Sequence, residues 1–241
     1  MLNIIIPVYN EADYIKATLD EINRCVHTQF IVYIIYDNPN DNTLPVIETC
    51  IKNNLYPFHI KTLQNAYSKG ALNAIKTGLY HTDSEYKLVV MADLSDNLEV
   101  VDAMVSKALQ GYDVVCGSRY IKGGSQKGGG KVKGFLARCA GLSLHWLTGI
   151  PTHDCTNSFK MYSDKLLKSI TIESSGGFEI GIEIVTKAWL TGYQITELPS
   201  EWQESPDRQS HFHLFKWLPY YLKWYFLCIF KTWTHKRQKS H

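Results

Sequence analysis

Seven residues at the start of the chain, Leu2 to Val8, constrain its fold more than any other stretch. Ile4, Ile5, Ile6 and Val8 make a nearly unbroken β-branched run, the pattern of a strand covered on both faces as in a parallel sheet. Pro7 cannot donate a ladder hydrogen bond, which places the strand's end at residues 6–8. In an open α/β sheet ligands bind beyond the carboxyl ends of the strands, and the first polar groups met there are Tyr9, Asn10 and Glu11. Glu11 also opens a helical pattern (Ile15, Leu19, Ile22), where an acid in the first turn is favoured anyway. On local grounds it is either a ligand residue or a capping acid.

Strand and helix signals then alternate, as right-handed βαβ units require. The patterns predict strands over 3–7, 30–36, 58–63, 86–92, 113–117 and 193–198. They predict helices over 11–25, 42–53, 69–80, 97–109, 134–148 and 178–191. This gives one α/β domain over 1–212 and a helix with a tail over 213–241, rich in aromatic and basic residues. Gly123 to Gly130 is too rich in glycine to hold a fixed shape unaided.

The net charge of +2 hides an uneven distribution. Residues 119–139 carry Arg119, Lys122, Lys127, Lys131, Lys133 and Arg138 with no acid, and residues 205–241 carry seven Lys and Arg against Asp207 alone. Such patches call for an anionic partner. The six cysteines are scattered without a CxxC pair, as expected of reduced thiols in the cytosol. No basic region precedes the first strand, which argues against a signal peptide, and charges interrupt every apolar run that approaches a membrane span.

Polar clusters close further strands at the same sheet edge. The second ends in Tyr36-Asp37, followed by Asp41-Asn42-Thr43; Asp37 is placed to accept hydrogen bonds from a base or ribose, and Asp41 to cap a helix. The fourth ends in Met91-Ala92-Asp93-Leu94-Ser95-Asp96, two carboxylates three apart that suit a hard cation, though Asp96 also reads as a helix cap. With Pro7-Val8-Tyr9-Asn10-Glu11, Gly117-Ser118-Arg119-Tyr120, Asp154-Cys155-Thr156-Asn157-Ser158-Phe159-Lys160 and Gly177-Phe178-Glu179, these segments resemble family 2 glycosyltransferases over about residues 2–212. Within that family they are most similar to the polyprenyl-phosphate sugar transferases.

The resemblance implies a GT-A (Rossmann-like) fold: a mixed, mostly parallel sheet flanked by helices, here with a C-terminal amphipathic interfacial helix. It implies an inverting transferase with a UDP- or GDP-linked sugar donor, a divalent cation (Mg²⁺ or Mn²⁺) and no nucleic-acid partner. Pro7, Tyr9, Glu11, Asp37 and Lys69 would hold the nucleotide, and Asp93 with Asp96 the metal. The family's Asp-x-Asp is Met91-Ala92-Asp93 here, and a thioether is a poor ligand for a hard cation. Its Ser-Gly-Phe-Arg is Asn157-Ser158-Phe159-Lys160, so a forked guanidinium becomes a point charge.

Two chemistries remain open. A hydroxyl acceptor needs a general base, for which Asp154 is the candidate beside Asp93 and Arg119; an orienting role for Asp154 is the alternative. A phosphate acceptor is already an anion and needs positive charge instead, offered by Arg119, Lys122, Lys127, Lys131, Lys160 and Arg208. The aromatic and lysine-bearing end, from Leu214 to Trp233, suits an interfacial helix on an anionic membrane, or a helix packed on the domain or in a homodimer. The combined expectation is transfer of a sugar to a polyprenyl phosphate on the cytosolic membrane face, with a hydroxyl acceptor or a non-catalytic sugar-nucleotide binder as alternatives. A nucleotidyltransferase would need a glycine-rich loop after the first strand, and residues 7–10 contain no glycine.

Overall fold

The computed structural model describes the backbone of residues 1–204 and 214–239 and the side chains of 1–204 and 216–234. In chain order the elements are β1 (Leu2–Val8), α1 (Ala12–Cys25), β2 (Phe30–Tyr36), α2 (Thr43–Lys52), β3 (His59–Gln64), α3 (Ala71–His81) and β4 (Tyr86–Val89). A 3-10 turn at Leu98–Val100 leads into α4 (Val101–Leu109), β5 (Val114–Ser118), β6 (Ser125–Lys127) and α5 (Lys131–Thr148). Then come β7 (Lys160–Ser163), α6 (Asp164–Ser169), α7 (Ile180–Leu190), β8 (Ile195–Pro199), β9 (Glu201–Gln203) and α8 (Leu214–Lys239).

Seven strands form one sheet in the order β3-β2-β1-β4-β7-β5-β8, and β7 alone runs antiparallel to its neighbours. β6 and β9 pair in parallel as a separate ribbon. The mixed, mostly parallel sheet is the predicted architecture. β1 is buried along its whole length: Ile4 and Ile6 join the core with α1 and α4, while Ile5 faces Ala74 of α3. Gly78 makes that second contact possible, since a Cβ there would lie 2.1 Å from Ile5 Cγ2. Pro7 falls beyond the β4 ladder, which ends at Ile5–Val89, so its missing N–H breaks no pairing there.

Three differences from the predicted elements bear on function. β4 stops at Val89 instead of 92, which frees residues 90–96 to turn across the sheet edge. β7 was not predicted at all; it is short, and its first residue is a lysine. The glycine-rich loop is held after all: β6 pairs with β9, and Glu204 accepts the Gly129 N–H at 2.7 Å. The following helix therefore starts at Lys131, where 134 was expected.

The C-terminal helix is part of the domain's core. Trp224, Cys228 and Ile229 are buried against α5 and α7, with Trp224 Nε1 donating to Ser174 Oγ at 3.1 Å. Its other side, with Leu222, Phe226, Phe230 and Trp233, is exposed. Among the described residues no helix is long and apolar enough to cross a membrane.

Candidate functional site

The first part of the site lies beyond β1, β2 and β3. Because Val8 pairs with Tyr36, the residues that follow each of them emerge side by side. The two loops are tied by backbone donors: Asn10 N–H to Asp41 Oδ2 (3.0 Å) and Glu11 N–H to Thr43 Oγ1 (2.9 Å). Asn10 takes φ +56°, a left-handed conformation that asparagine tolerates, and Tyr9 beside it is 69% exposed. Glu11 is buried at the start of α1, where its carbonyl accepts from Tyr14 and Ile15. Asp37 accepts from Asn65 Nδ2 at 2.7 Å and from Gly70 N–H at 2.8 Å, which closes the 65–70 loop over the strand ends. Gly70 adopts φ +124°, a conformation that needs glycine, and Lys69 stands exposed before it. Pro7, Tyr9, Glu11, Asp37 and Lys69 thus share one edge.

The second part is the turn at 91–96. Asp93 is partly exposed, and its Oδ1 accepts the Ser95 N–H at 3.1 Å. Asp96 is buried under β9 and directed at the Met91 N–H, 3.4 Å away. Burial, and then the charge of Asp93, push its carboxyl up to about 7. The expected Asp93–Asp96 pair is therefore not a preformed cation site: Asp96 is turned inward and reluctant to ionise. Among the described residues no group of three or more His, Cys, Asp or Glu is arranged to hold a metal alone. A cation of the Mg²⁺ or Mn²⁺ kind keeps waters and shares substrate phosphates, so Asp93 fits one held jointly with a diphosphate.

The third part is a buried ion pair. Arg119 follows β5 and Asp154 lies in the turn before β7; Nε and Nη2 of Arg119 reach the two carboxylate oxygens at 2.7 and 2.9 Å, and the Arg119 N–H adds a third bond at 3.1 Å. Burial alone would raise the Asp154 pKa, but the charge and hydrogen bonds of Arg119, with the charge of Lys160, more than reverse this and hold it below the usual range. For Arg119 burial works against the charge, and Asp154 again outweighs it. A carboxylate locked by a guanidinium fork with a lowered pKa is a poor proton acceptor near neutral pH. That places Asp154 as the group that orients Arg119.

Arg119 of this pair lines a cleft of about 340 Å³. Thr156, Asn157 and Ser158, with Gln126, Lys133 and Glu204, are its other polar residues; Leu136, Ala137 and Ala140 of α5, Phe178, Trp202, and Leu218 and Tyr221 of α8 supply apolar surface. Met91 lines it too.

The glycosyl transferase family 2 model matches residues 3–171. The chain belongs to this family. It is 27% identical over 172 residues to an uncharacterized glycosyltransferase of Synechocystis sp., covering 70% of this chain and 52% of the relative. It is 26% identical over 124 residues to the dolichol-phosphate mannosyltransferase of Pyrococcus furiosus, covering 51% and 34%. The chain thus spans about half and a third of those two proteins. Its fold matches glucosyl-3-phosphoglycerate synthase from Mycobacterium tuberculosis, solved with Mn²⁺, UDP-glucose and phosphoglyceric acid (TM-score 0.65, 16% identity, 96% of this chain and 79% of that one). It also matches a Pyrobaculum calidifontis mannosyltransferase solved with GDP-mannose and Mn²⁺ (TM-score 0.62, 17% identity, 87% and 58%).

Several residues expected in this family 2 site stand elsewhere. Lys160 is fully buried and donates to the Asn157 carbonyl, so it does not line the cleft as an acceptor contact. Lys127 is an exposed partner of Glu201 at 2.9 Å, its charge already matched. Lys122 and Lys131 are exposed on the loop and at the start of α5, and neither lines the cleft; Lys133 does. Arg208 lies outside the described residues. Glu179 and Glu183 are buried, accepting backbone N–H groups of Gly176, Gly177, Glu173 and Ser174. His145 and His153 stack at 4.0 Å and bond to the Ile150 carbonyl and Glu197, a structural role. The apolar cleft walls were not foreseen; Leu136 and Phe178 gave no signal apart from ordinary core periodicity.

Proposed function

We propose that this protein is an inverting glycosyltransferase that moves a sugar from a UDP- or GDP-linked donor to a polyprenyl phosphate at the cytosolic membrane face. The observation that carries the reading is the lining of the cleft: it is mostly apolar but includes the Arg119 guanidinium, a combination that complements an anionic head on a hydrocarbon tail. The dolichol-phosphate mannosyltransferase relative supports the same acceptor class. Beyond the cleft, α5 exposes Val132, Phe135, Trp146 and Leu147, and α8 exposes Phe226, Phe230 and Trp233, with Lys131, Arg138, Lys223 and Lys231 nearby. That mixture of aromatics and cations matches an anionic bilayer surface.

In this mechanism Tyr9, Glu11, Asp37 and Lys69 bind the nucleotide at the first sheet edge. Asp93 faces the diphosphate; a divalent cation bound there would neutralise the leaving group. Arg119, fixed by Asp154, aligns the acceptor phosphate for in-line attack. A phosphate oxygen forms the bond to the anomeric carbon as the bond to the diphosphate breaks. The nucleoside diphosphate leaves with the electron pair, and the anomeric configuration inverts. No proton moves, which agrees with an Asp154 held too acidic to accept one.

The test is a thermal-shift screen against UDP- and GDP-sugars with Mn²⁺ or Mg²⁺, then incubation of the stabilising donor with vesicles carrying polyprenyl phosphate. Mass spectrometry should show the acceptor gaining one sugar residue. Absence of a shift with every donor would overturn the reading.

A further inference from the structure

Two lysines of the sheet, Lys87 and Lys160, are completely buried, and they are satisfied differently. Lys87 donates to the Asp164 carboxylate at 2.6 Å, an ordinary buried ion pair. Lys160 donates to the backbone carbonyl of Asn157 and, among the described residues, forms no ion pair. The nearby carboxylates are committed elsewhere, Asp154 to Arg119 and Asp96 to the Met91 N–H. A buried ammonium without a carboxylate bound to it directly is costly.

The fold also puts that charge in a particular place. β7 runs against its neighbours, so its first residue lies at the edge where β4 and β5 end, with Lys160 opposite Cys116. The carbonyl that Lys160 holds belongs to the turn that presents Thr156, Asn157 and Ser158 to the cleft. The same turn is anchored in front by Asp154, which accepts the Asn157 N–H at 3.3 Å. α7 closes in from behind: a Cβ on Gly181 would stand 3.0 Å from the Asn157 carbonyl oxygen and 3.8 Å from Lys160 Nζ.

We propose that Lys160 is a positioning residue that adds positive potential to the cleft from behind the Asn157 turn and holds that turn in the shape that receives an acceptor phosphate. The Arg119–Asp154 pair is neutral as a unit, so Lys160 adds positive charge behind it that an entering phosphate neutralises. Low dielectric around the buried ammonium extends its reach to a phosphate it never touches. This inference rests on the phosphate-acceptor reading.

The test compares wild type with Lys160→Met and Lys160→Gln, assayed with polyprenyl phosphate in vesicles and the donor found by thermal shift. Both variants should raise the acceptor KM at least tenfold, leave the donor Kd from calorimetry within threefold, and reduce kcat less than the acceptor KM rises. A merely structural lysine would instead lower donor binding and acceptor use together, and that result overturns the proposal. Lys160→Gln keeps a donor for the Asn157 carbonyl, so it carries the test if the Met variant does not fold. A wild-type acceptor KM in Lys160→Gln would show that the charge is not used and overturn the electrostatic role. Wild type that transfers only to hydroxyl acceptors overturns the phosphate reading itself; wild type that uses polyprenyl phosphate while both variants match it overturns only Lys160.

Discussion

The two ends of the sheet solve different problems. At the β1–β2–β3 end, polar side chains on loops are held by backbone donors, as Asp37 is by Gly70 and Asp41 by Asn10, and Tyr9 projects into solvent. At the β7–β5 end, Arg119 lines a cleft whose walls are mostly apolar, and Asp154 and Lys160 are buried behind it. The first arrangement suits a polar ligand that arrives in water and is read by hydrogen bonds. The second suits an anion on an apolar carrier, because a charge in a dry wall acts strongly. The two halves, which we propose hold donor and acceptor, therefore differ in exposure as well as in residue type.

The largest test of this contrast is Arg119→Met. It leaves the Asp154 carboxylate buried without its partner, and urea unfolding should report a loss of about 3–5 kcal/mol. Transfer should vanish while the donor-half loops keep their nucleotide affinity. A variant of near wild-type stability would mean that the sealed pair is not the keystone of the acceptor half. Asp37→Ala probes the other end: losing two hydrogen bonds to a charged acceptor should weaken nucleotide binding roughly tenfold or more, read by calorimetry. If Asp37→Ala instead impaired acceptor KM alone, the division between the halves would fail.

How far this division could be read beforehand depended on the half. The donor half is legible in the sequence because its signals are local: an apolar run broken by Tyr9-Asn10-Glu11, and Asp37 at the close of β2. Its strands deviate from prediction by a residue or so, β4 apart. The acceptor half is built from contacts distant in sequence. Arg119 meets Asp154 across 35 positions, and α8 supplies a cleft wall from beyond residue 214. β7 escaped notice because four residues opening on lysine carry no strand periodicity, and only the folded sheet shows that this lysine is buried. Lys127 and Lys160 looked like equivalent basic residues, yet one faces solvent beside Glu201 and the other lies in the core. Charge can be counted from a sequence, but burial decides what it does.

Smaller effects sharpen the contrast further. Trp146 is 88% exposed at the far end of α5. Trp146→Ser should weaken binding to anionic vesicles by about 1.5–3 kcal/mol in a sedimentation assay without changing nucleotide affinity. Unchanged vesicle binding with loss of a dimer in ultracentrifugation would assign that face to a second copy instead. Asp96 gives a defined pH window. Its folded pKa of about 7 lies above the ordinary 3.8, so the folded state binds this proton more tightly than the unfolded chain. The contribution to stability is full below about pH 4, declines as pH rises from there toward 7, and stays lost above. Asp96→Asn should therefore match wild type near pH 4 and be more stable than wild type at pH 8, read as a higher Tm there. The reverse pH order would show that Asp96 is ionised and paired.

The most direct measurement sets two acceptors side by side: a polyprenyl phosphate and the corresponding polyprenol, in the same vesicles, with the same nucleotide sugar. The account predicts transfer to the phosphate alone, since Arg119 offers charge to an anion and Asp154 is engaged by that guanidinium, which helps lower its pKa. Transfer to the polyprenol at a comparable rate would contradict it, because a hydroxyl nucleophile requires a proton acceptor that this cleft does not offer in Asp154.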